Sequence, residues 1–248
     1  MKLLVPAALL ALAAPFAAQA QTVSPAIAAA LADPARPAAD RERDAARHPG
    51  EILAFAGVKP GDKVADFLLG GGYWTPVLSA LVGPKGHVYA FQANEYIAFR
   101  AAYADEQKAA VAGRANVTAL AQPLAAFSFP EPLDVVLTVQ NWHDFHLKVM
   151  PAGLGDTVAA RLFAALKPGG VLLVADHVAN PDPAMEAPQA LHRIDPAALR
   201  AEIEKAGFVF EGETAILRDP SDPHTANVFA PEIRGKTDQF VYKFRKPA

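Results

Sequence analysis

The sequence contains no cysteine, and this absence removes several kinds of chemistry at once. Disulfide bonds, thiolate nucleophiles and zinc sites built from thiolates are all excluded. Stability must therefore come from a hydrophobic core. A chain of 248 residues is long enough to bury a large core in a single domain.

An excess of charge of either sign is also missing. The 23 Lys and Arg residues nearly balance the 26 Asp and Glu residues, which gives a formal net charge of −3. A broad basic surface for nucleic acid is therefore not expected. Beyond residue 20, no apolar run reaches the roughly 20 residues that a membrane span needs.

Residues 1–20 have the pattern of a secretory signal peptide. The basic start Met1-Lys2 precedes an apolar run from Leu3 to Phe16, and Ala18-Gln19-Ala20 is a small-x-small cleavage site. The alternative, an amphipathic helix, lacks a polar face. The pattern predicts an exported, periplasmic protein that is cleaved after Ala20, with no membrane span in the mature chain.

The remaining chain predicts a short leader and one domain. Residues 21–39 are rich in Ala and Pro and suggest one or two helical turns at most. Residues 40–248 alternate apolar strand patterns with helical patterns, which indicates an α/β fold with a mainly parallel sheet covered on both faces. The last two strand patterns, 208–218 and 239–247, have no helix between them and suggest an antiparallel pair at one edge.

Several local signals predict where helices begin. Thr75-Pro76 and Asp195-Pro196 each resemble an N-cap followed by a first helical residue, and Asp156 is a third candidate cap. Residues 94–113 predict one continuous helix. "KPGG", at residues 167–170, predicts a turn before the fifth strand.

Three consecutive glycines, Gly70-Gly71-Gly72, follow the first predicted strand. Bare backbone at the carboxyl end of a strand lets a ligand approach closely, although a tight turn without a ligand would also use glycine. Asp66, just before the turn, is a candidate ligand contact or a turn cap. Tyr73 and Trp74, just after it, could close over a ligand or pack in the core.

A second polar cluster, "QNWHDFH" at residues 140–146, follows the fourth predicted strand. His143 is the best candidate for a general base, because the ordinary pKa of histidine lies near neutral pH. Asp144 is expected to orient it or to act as the base itself. Trp142 and Phe145 could line a substrate site, with core packing as the alternative.

Other polar residues fall at the same predicted rim or in loops. A metal site could be formed by Asp144, His146, Asp176 and His177, but their spacing matches no strong metal motif and no metal is predicted. His192-Arg193 and His224 are candidates for a lid. Arg234 and Lys236 could meet an anionic group, or could lie in a solvated loop.

Five segments, in their order and spacing, resemble the class I S-adenosylmethionine-dependent methyltransferases. They are "KVADFLLGGG", "GHVYAFQANE", "LDVVLTVQNWHDF", "LKPGGVLLVADHV" and "EKAGF". The resemblance covers about residues 45–247. Residues 222–247 are similar to the C-terminal signature of an exported predicted-methyltransferase family.

This resemblance implies a Rossmann-like seven-stranded sheet, mostly parallel with an antiparallel last strand and with helices on both faces. It also implies S-adenosylmethionine as the cofactor, with its methionine part over the glycine turn. The implied cofactor-binding residues are Asp66, Gly70, Gly71, Gly72, Tyr73, Gln92, Glu95, Gln122 and Asn141. Leu68 replaces a glycine of the family turn, and Gln92 stands where the family carries an acid that binds ribose.

The resulting hypothesis is a methyltransferase that acts on a small molecule or an envelope component, with His143 and Asp144 as its catalytic residues. The alternative is a non-catalytic exported protein that keeps the fold and binds a ligand, so turnover itself is left open. A fold does not by itself decide between these functions. The sequence does not predict the oligomeric state.

Overall fold

The structure, a computed structural model, describes residues 22 to 248. The predicted signal peptide lies outside these residues. One sheet contains seven strands in the order β3-β2-β1-β4-β5-β7-β6. The strands are β1 (Lys63–Phe67), β2 (His87–Ala93), β3 (Val117–Gln122), β4 (Leu133–Val139), β5 (Leu166–His177), β6 (Val209–Thr214) and β7 (Gln239–Arg245).

Ten α-helices and one 3-10 helix, His143–His146, surround the sheet within the described residues. The α-helices are α1 (Pro25–Leu31), α2 (Ala38–Arg41), α3 (Asp44–Arg47), α4 (Pro49–Ala56), α5 (Trp74–Val82), α6 (Asn94–Phe99), α7 (Ala102–Val111), α8 (Leu154–Ala165), α9 (Ala187–Leu191) and α10 (Pro196–Lys205). None of these helices is long and apolar enough to cross a membrane.

Only β7 runs against the other strands. It pairs antiparallel with both β5 and β6, while every other neighbouring pair is parallel. This confirms the predicted fold, including the antiparallel pair at one edge. Strands β2 and β3 lie successively farther from β1 on one side of it, and β4 pairs with β1 on its other side. The switch point between β1 and β4 is where an open α/β sheet binds its ligand.

The inner strands are buried on both faces of the sheet, because they are apolar on both sides. On one face, Val64 and Leu137 pack with Ile52 of α4 and Leu78 of α5. The opposite face carries α8 and α10. Its packed residues include Phe67, Val136, Leu172, Val158, Leu162 and Ile203.

The Ala- and Pro-rich leader contributes to this core. Helix α1 begins after Ser24, whose hydroxyl accepts a hydrogen bond from the Ile27 amide at 3.3 Å. Ile27 and Ala30 are buried in the same cluster as α4 and α5. The boundary between leader and domain stays a prediction.

Four of the predicted local features differ from the structure, whereas the Asp195 cap is confirmed. Helix α5 begins at Trp74, because the Thr75 hydroxyl bonds to Asp66 instead of capping. Helix α8 begins after Gly153, so Asp156 lies in its first turn and pairs with Lys205.

The other two differences concern a helix and a turn. The predicted helix 94–113 is broken at Arg100, whose backbone is extended with φ −140°. This break separates α6 from α7. "KPGG" belongs to β5, because the Gly169 amide donates to Lys246 beyond β7 and extends the pairing.

Candidate active site

A cavity of about 770 Å³ lies at the carboxyl ends of β1, β2 and β4. Cofactor and small-molecule sites span roughly 300–1,000 Å³, so the cavity has the size of such a site. Eight of the eleven predicted site residues line it: Asp66, Gly70, Gly71, Tyr73, Glu95, Asn141, His143 and Asp144. Gly72, Gln92 and Gln122 are not among its lining residues.

The glycine turn has a left-handed backbone on both sides of Gly71. Gly70 and Gly72 have φ values of 56° and 82°, which glycine adopts without strain. Close packing leaves no room for a side chain at Gly72, because a Cβ atom there would lie 2.6 Å from the Ala110 Cβ of α7. Gly71 lines the cavity and has open space around it. The turn therefore divides into one structural glycine and two that face the cavity.

Leu68, which replaces a glycine of the family turn, has a left-handed backbone. Its φ is 60°, which costs a residue with a Cβ atom about 1–2 kcal/mol. Gln140, at the end of β4, has a similar φ of 63°. Both residues line the cavity. Strained backbone of this kind concentrates at functional sites.

Asp66 is a buried carboxyl at the end of β1. Its Oδ2 accepts a hydrogen bond of 2.6 Å from the Thr75 hydroxyl. Burial raises the pKa of Asp66 from 3.8 to about 6, although hydrogen bonds from Thr75 lower it. At neutral pH the side chain is therefore an ionised carboxylate in a site that disfavours its charge. A cationic ligand would stabilise it.

This charge has a cost that can be measured. A pKa raised from 3.8 to about 6 means that stability is greatest below pH 3.8 and falls by about 3 kcal/mol as the pH rises through 6. Asp66→Asn stays neutral, so we expect it to match the natural protein near pH 4 and to exceed its free energy of unfolding at pH 7.5. Urea titrations at both pH values measure this. An equal stability difference at both pH values would contradict it, and Asp105→Asn, on the exposed surface, is the control.

Asn141 joins the ends of β1 and β4. Its Nδ2 donates to the carbonyls of Phe67 at 3.4 Å, Leu68 at 3.3 Å and Val139 at 3.2 Å, and its Oδ1 accepts from the Thr138 hydroxyl. These contacts hold the strand ends together below the cavity. Because its side-chain amide already makes these hydrogen bonds within the protein, Asn141 has a structural role at the base of the cavity.

The three predicted residues on β2, α6 and β3 have separate surroundings. Glu95 lines the cavity and accepts a hydrogen bond from the Leu124 amide at 3.1 Å. The Gln122 side chain donates to the Ser128 carbonyl and accepts from the Ser128 amide, which closes the loop between these two residues. Gln92 is fully buried, and neither its Oε1 nor its Nε2 has a partner among residues 22–248.

His143 is a buried cation between two carboxylates. Its Nδ1 lies 2.8 Å from Asp176 Oδ1, and its Nε2 lies 3.2 Å from Asp144 Oδ1. Burial lowers the pKa of His143, but the charge of Asp176 and hydrogen bonds to Asp144 and Asp176 outweigh burial and raise it to about 10. The sequence suggested a pKa near neutral pH, and the structure differs because Asp176 arrives from β5.

Asp144 is the centre of a second set of contacts. Its Oδ2 accepts a hydrogen bond of 2.8 Å from Tyr96, and its Oδ1 lies 3.5 Å from His192 Nδ1. Burial raises the pKa of Asp144, but hydrogen bonds from His143 and His192 outweigh burial and hold that pKa well below its usual range. The predicted pairing of His143 with Asp144 is present. Tyr96 and His192 are additional site residues that the sequence did not place there.

The candidate metal ligands do not assemble as the sequence suggested. His146 faces Glu202 at 3.2 Å, and His177 Nδ1 lies 2.7 Å from the Thr237 hydroxyl. Within the described part of the chain, His143, Asp144 and His192 instead bring one possible ligand atom each within 4.8 Å of one another. Asp176 is occupied by His143.

Trp142 and Phe145 belong to the core. Both are buried, and the Trp142 indole donates to Glu202 at 2.7 Å. Neither lines the cavity, so of the two alternatives left open by the sequence, core packing holds for both residues. They face inward because the 3-10 helix turns His143 and Asp144 toward the opening.

The mouth of the cavity carries apolar side chains from three separate segments. Phe99 at the end of α6, Val149 before α8 and Phe229 in the C-terminal segment line the cavity while remaining largely exposed, at 88%, 82% and 56%. Exposed apolar residues grouped in this way mark binding surfaces. The mouth therefore favours a ligand with an apolar part.

One wall of the cavity comes from the N-terminal helices. Tyr73 donates to Asp44 at 2.6 Å, and Asp44 also accepts a two-pronged pair of bonds from the buried Arg36. These bonds fix α3 beside the glycine turn. As a result, Arg43 and Arg47 lie against the Tyr73 ring, 5.0 Å and 4.6 Å from its centre, and line the cavity.

The opposite wall comes from residues 218–238. Arg193 and Asp222, both buried, form a bidentate ion pair with bonds of 2.8 Å and 3.1 Å. His224 Nε2 lies 2.9 Å from Asp238. These contacts hold Val228 and Phe229 over the cavity, where the Phe229 ring lies 5.0 Å from that of His192. Arg193 and His224 thus anchor the covering segment, and His192 faces the ligand space.

No protein-family model matches the chain. Its structure is similar to a SAM dependent methyltransferase from Aquifex aeolicus, with a TM-score of 0.56, 20% identity, and 89% of this chain and 96% of that chain covered. The N-methyltransferase NodS from Bradyrhizobium japonicum gives 0.52 and 13%, with 84% and 97% covered. A possible exported protein from Bordetella parapertussis gives 0.51 and 20%, with 84% and 68% covered.

At these identities the likeness concerns the fold alone. The strand order with an antiparallel β7 agrees with this likeness, and the cavity lies at the β1/β4 switch point, where open α/β sheets bind ligands. The chain has the fold of the class I S-adenosylmethionine-dependent methyltransferases.

Proposed function

We propose that the protein is a class I S-adenosylmethionine-dependent methyltransferase that acts on a small molecule. The observation that carries this proposal is the cavity above Gly70 and Gly71, at the switch point of a sheet of this fold. The apolar mouth and the buried polar network beside it supply the two parts of an acceptor site.

The residues of the cavity suit the cofactor. Asp66 and Glu95 present carboxylates, which favour the cationic and hydroxyl groups that S-adenosylmethionine carries. Gly70 and Gly71 leave open space, because a Cβ atom at Gly70 would meet nothing within 4 Å. Tyr96 and Tyr103 add aromatic rings beside Glu95. When bound, S-adenosylmethionine supplies an electrophilic methyl group on a sulfonium.

Catalysis then rests mainly on positioning of the acceptor, with proton removal where the acceptor needs it. His143 and Asp144 were the predicted catalytic residues. We assign the base to His192, since His143 holds its proton between Asp144 and Asp176. Asp144 faces His192 Nδ1, which leaves Nε2 free to accept a proton from the acceptor. Asp144 and His143 are positioning residues in this scheme.

His192→Gln is expected to lower kcat by about a hundredfold or more, because a general base contributes roughly 10² to 10⁴ in rate. The affinity for S-adenosylhomocysteine should not change. Methyl transfer from labelled S-adenosylmethionine to a panel of phenols, amines and organic acids identifies an acceptor, on which kcat is then measured. Imidazole should partly restore His192→Ala. His87→Gln, at the far end of β2, is the matched control, and an unchanged kcat in His192→Gln would exclude this role.

Calorimetry with S-adenosylmethionine and S-adenosylhomocysteine tests the proposed function directly. Binding of both, with transfer to one member of the panel, supports it. Absence of binding at millimolar ligand would refute it. Binding without transfer to any acceptor would favour a ligand-binding protein that keeps the fold.

We further propose that the protein is exported and cleaved after Ala20. The signal-peptide pattern supports this, and one structural neighbour is a possible exported protein. N-terminal sequencing of protein from its own host should begin at Gln21. A chain that still begins at Met1 would exclude cleavage.

A further inference from the structure

A second cavity of about 490 Å³ adjoins the first, beyond the ends of β4, β5 and β7. Gln140, His177 and Gln239 mark these three strand ends in its wall. The two cavities share several lining residues: Arg43, Arg47, Trp74, Val139, Val228 and Phe229. A ligand in the second cavity would therefore lie within reach of the first.

The charged residues that line the second cavity are all arginines. Arg43, Arg47 and Arg234 contribute to its wall, and no Asp or Glu does. Arg43 is paired with Asp40 at 2.5 Å. The guanidinium groups of Arg47 and Arg234 make no hydrogen bond or ion pair within residues 22–248, and lie 4.6 Å and 5.9 Å from the ring centres of Tyr73 and Phe229. Two guanidinium groups therefore lack an anionic partner.

The position of Arg47 makes its lack of a partner costly. Burial and the nearby charge of Arg43 lower the pKa of Arg47, which shows that its surroundings disfavour the cation. Such a group is stabilised when an anion arrives, and a guanidinium binds carboxylate or phosphate through two parallel bonds. Arg47 is held in place because α3 is fixed to Arg36 and Tyr73 through Asp44.

Trp74 provides an independent indication of a ligand. Its indole is 4% exposed, and its Nε1–H has no acceptor in the part of the chain that the structure describes. Buried polar groups are normally paired, with protein, water or ligand. Trp74 lies in the wall of both cavities, and an oxygen of a bound anion that reaches its Nε1–H would supply the missing acceptor.

We propose that the second cavity binds the anionic group of the methyl acceptor, a carboxylate or a phosphate, through Arg47, Arg234 and the Trp74 indole. The acceptor is then an organic anion whose apolar body lies against Val139, Val228 and Phe229, with its reacting group toward His192. The assignment of this anion to the methyl acceptor rests on the proposed function, whereas the anion site itself does not depend on it.

S-adenosylmethionine carries a carboxylate of its own, so the test must separate two sources of the anion. Benzoate and phenyl phosphate are titrated into the full-length protein by calorimetry, with and without saturating S-adenosylhomocysteine. Benzamide, which has the shape of benzoate without its charge, is the control ligand. We expect both anions to bind, benzamide to bind about tenfold more weakly or worse, and S-adenosylhomocysteine not to displace the anions.

Variants locate the site. Arg47→Gln and Arg234→Gln should each weaken anion binding about tenfold or more, and Arg47→Lys should weaken it less, because it keeps the charge without the fork. Arg200→Gln, on the surface beside Glu204, is the matched control. Thermal unfolding shows that each variant is folded. Anion affinity that stays the same in both glutamine variants would overturn the proposal.

The other outcomes are equally distinct. Displacement of benzoate by S-adenosylhomocysteine would mean that Arg47 holds the cofactor, and so would a loss of affinity for S-adenosylhomocysteine in Arg47→Gln. Either result would overturn the acceptor site. Anion binding that depends on Arg47 in a protein that never binds S-adenosylhomocysteine would support the anion site and refute the methyltransferase.

Discussion

Gly71→Asp is expected to lower the affinity for S-adenosylhomocysteine by about a hundredfold or more, while the protein stays folded. Gly71 lines the cavity, and its φ is not in the left-handed region, so a side chain is tolerated by the backbone. A Cβ atom there would meet only Glu106 Oε2, at 3.9 Å. Aspartate adds bulk where the ligand must approach, and its charge lies near Glu106 and disfavours a ligand carboxylate.

Gly72→Ala separates this effect from a general disturbance of the turn. Its Cβ atom would overlap Ala110 and its φ is 82°, so we expect a loss of about 1–3 kcal/mol in the free energy of unfolding. Below its unfolding temperature this variant should retain ligand affinity. Calorimetry and urea unfolding of both variants test the pair. Unchanged affinity in Gly71→Asp would show that the glycine turn is not the ligand site.

Asp222→Ala is expected to lower the free energy of unfolding by about 3–5 kcal/mol, the usual cost of leaving one member of a buried ion pair alone. Arg193 is fully buried, and Asp222 accepts two of its hydrogen bonds and one from the Asp238 amide. Without the carboxylate, the Arg193 guanidinium keeps only backbone carbonyl partners, those of Val178 and Ala226.

The same substitution should weaken benzoate binding, because Val228 and Phe229 lie on the segment that Asp222 anchors. Asp219→Ala is the matched control in this segment, since within the described residues the Asp219 carboxylate bonds only to Ser221. Urea unfolding measures both variants. A loss below 1 kcal/mol in Asp222→Ala would mean that the covering segment is held by other contacts.

The fold was predictable because it follows from hydrophobic pattern. Strands such as β4 and β5 are apolar on both faces, which requires a parallel sheet between helices, and topology then brings their ends to one rim. Asp66, Gly71 and Asp144 were placed at this rim in this way, since Asp66 lies at the end of β1 and the other two lie in the segments that follow β1 and β4. The helix starts at Trp74 and Leu154 were missed because Thr75 and Asp156 have tertiary partners that outcompete capping.

The rest of the site depends on contacts between distant segments. Arg47 and His192 line the cavity only because ion pairs fix the segments around them, and no local pattern encodes those pairs. The charge state of His143 is similar. Its raised pKa requires Asp176, 33 residues away in sequence, to meet it at 2.8 Å.

The cavity is built from both ends of the chain, with Arg47 before the first strand and Phe229 just before the last one. Most of the sheet can pair before the C-terminal segment has been synthesised, but the ligand space has no second wall until then. We therefore expect a partly synthesised chain, which lacks Val228 and Phe229, to bind the proposed ligand weakly. If the cavity binds S-adenosylmethionine as proposed, binding begins only after the last strand, β7, has been added to the sheet.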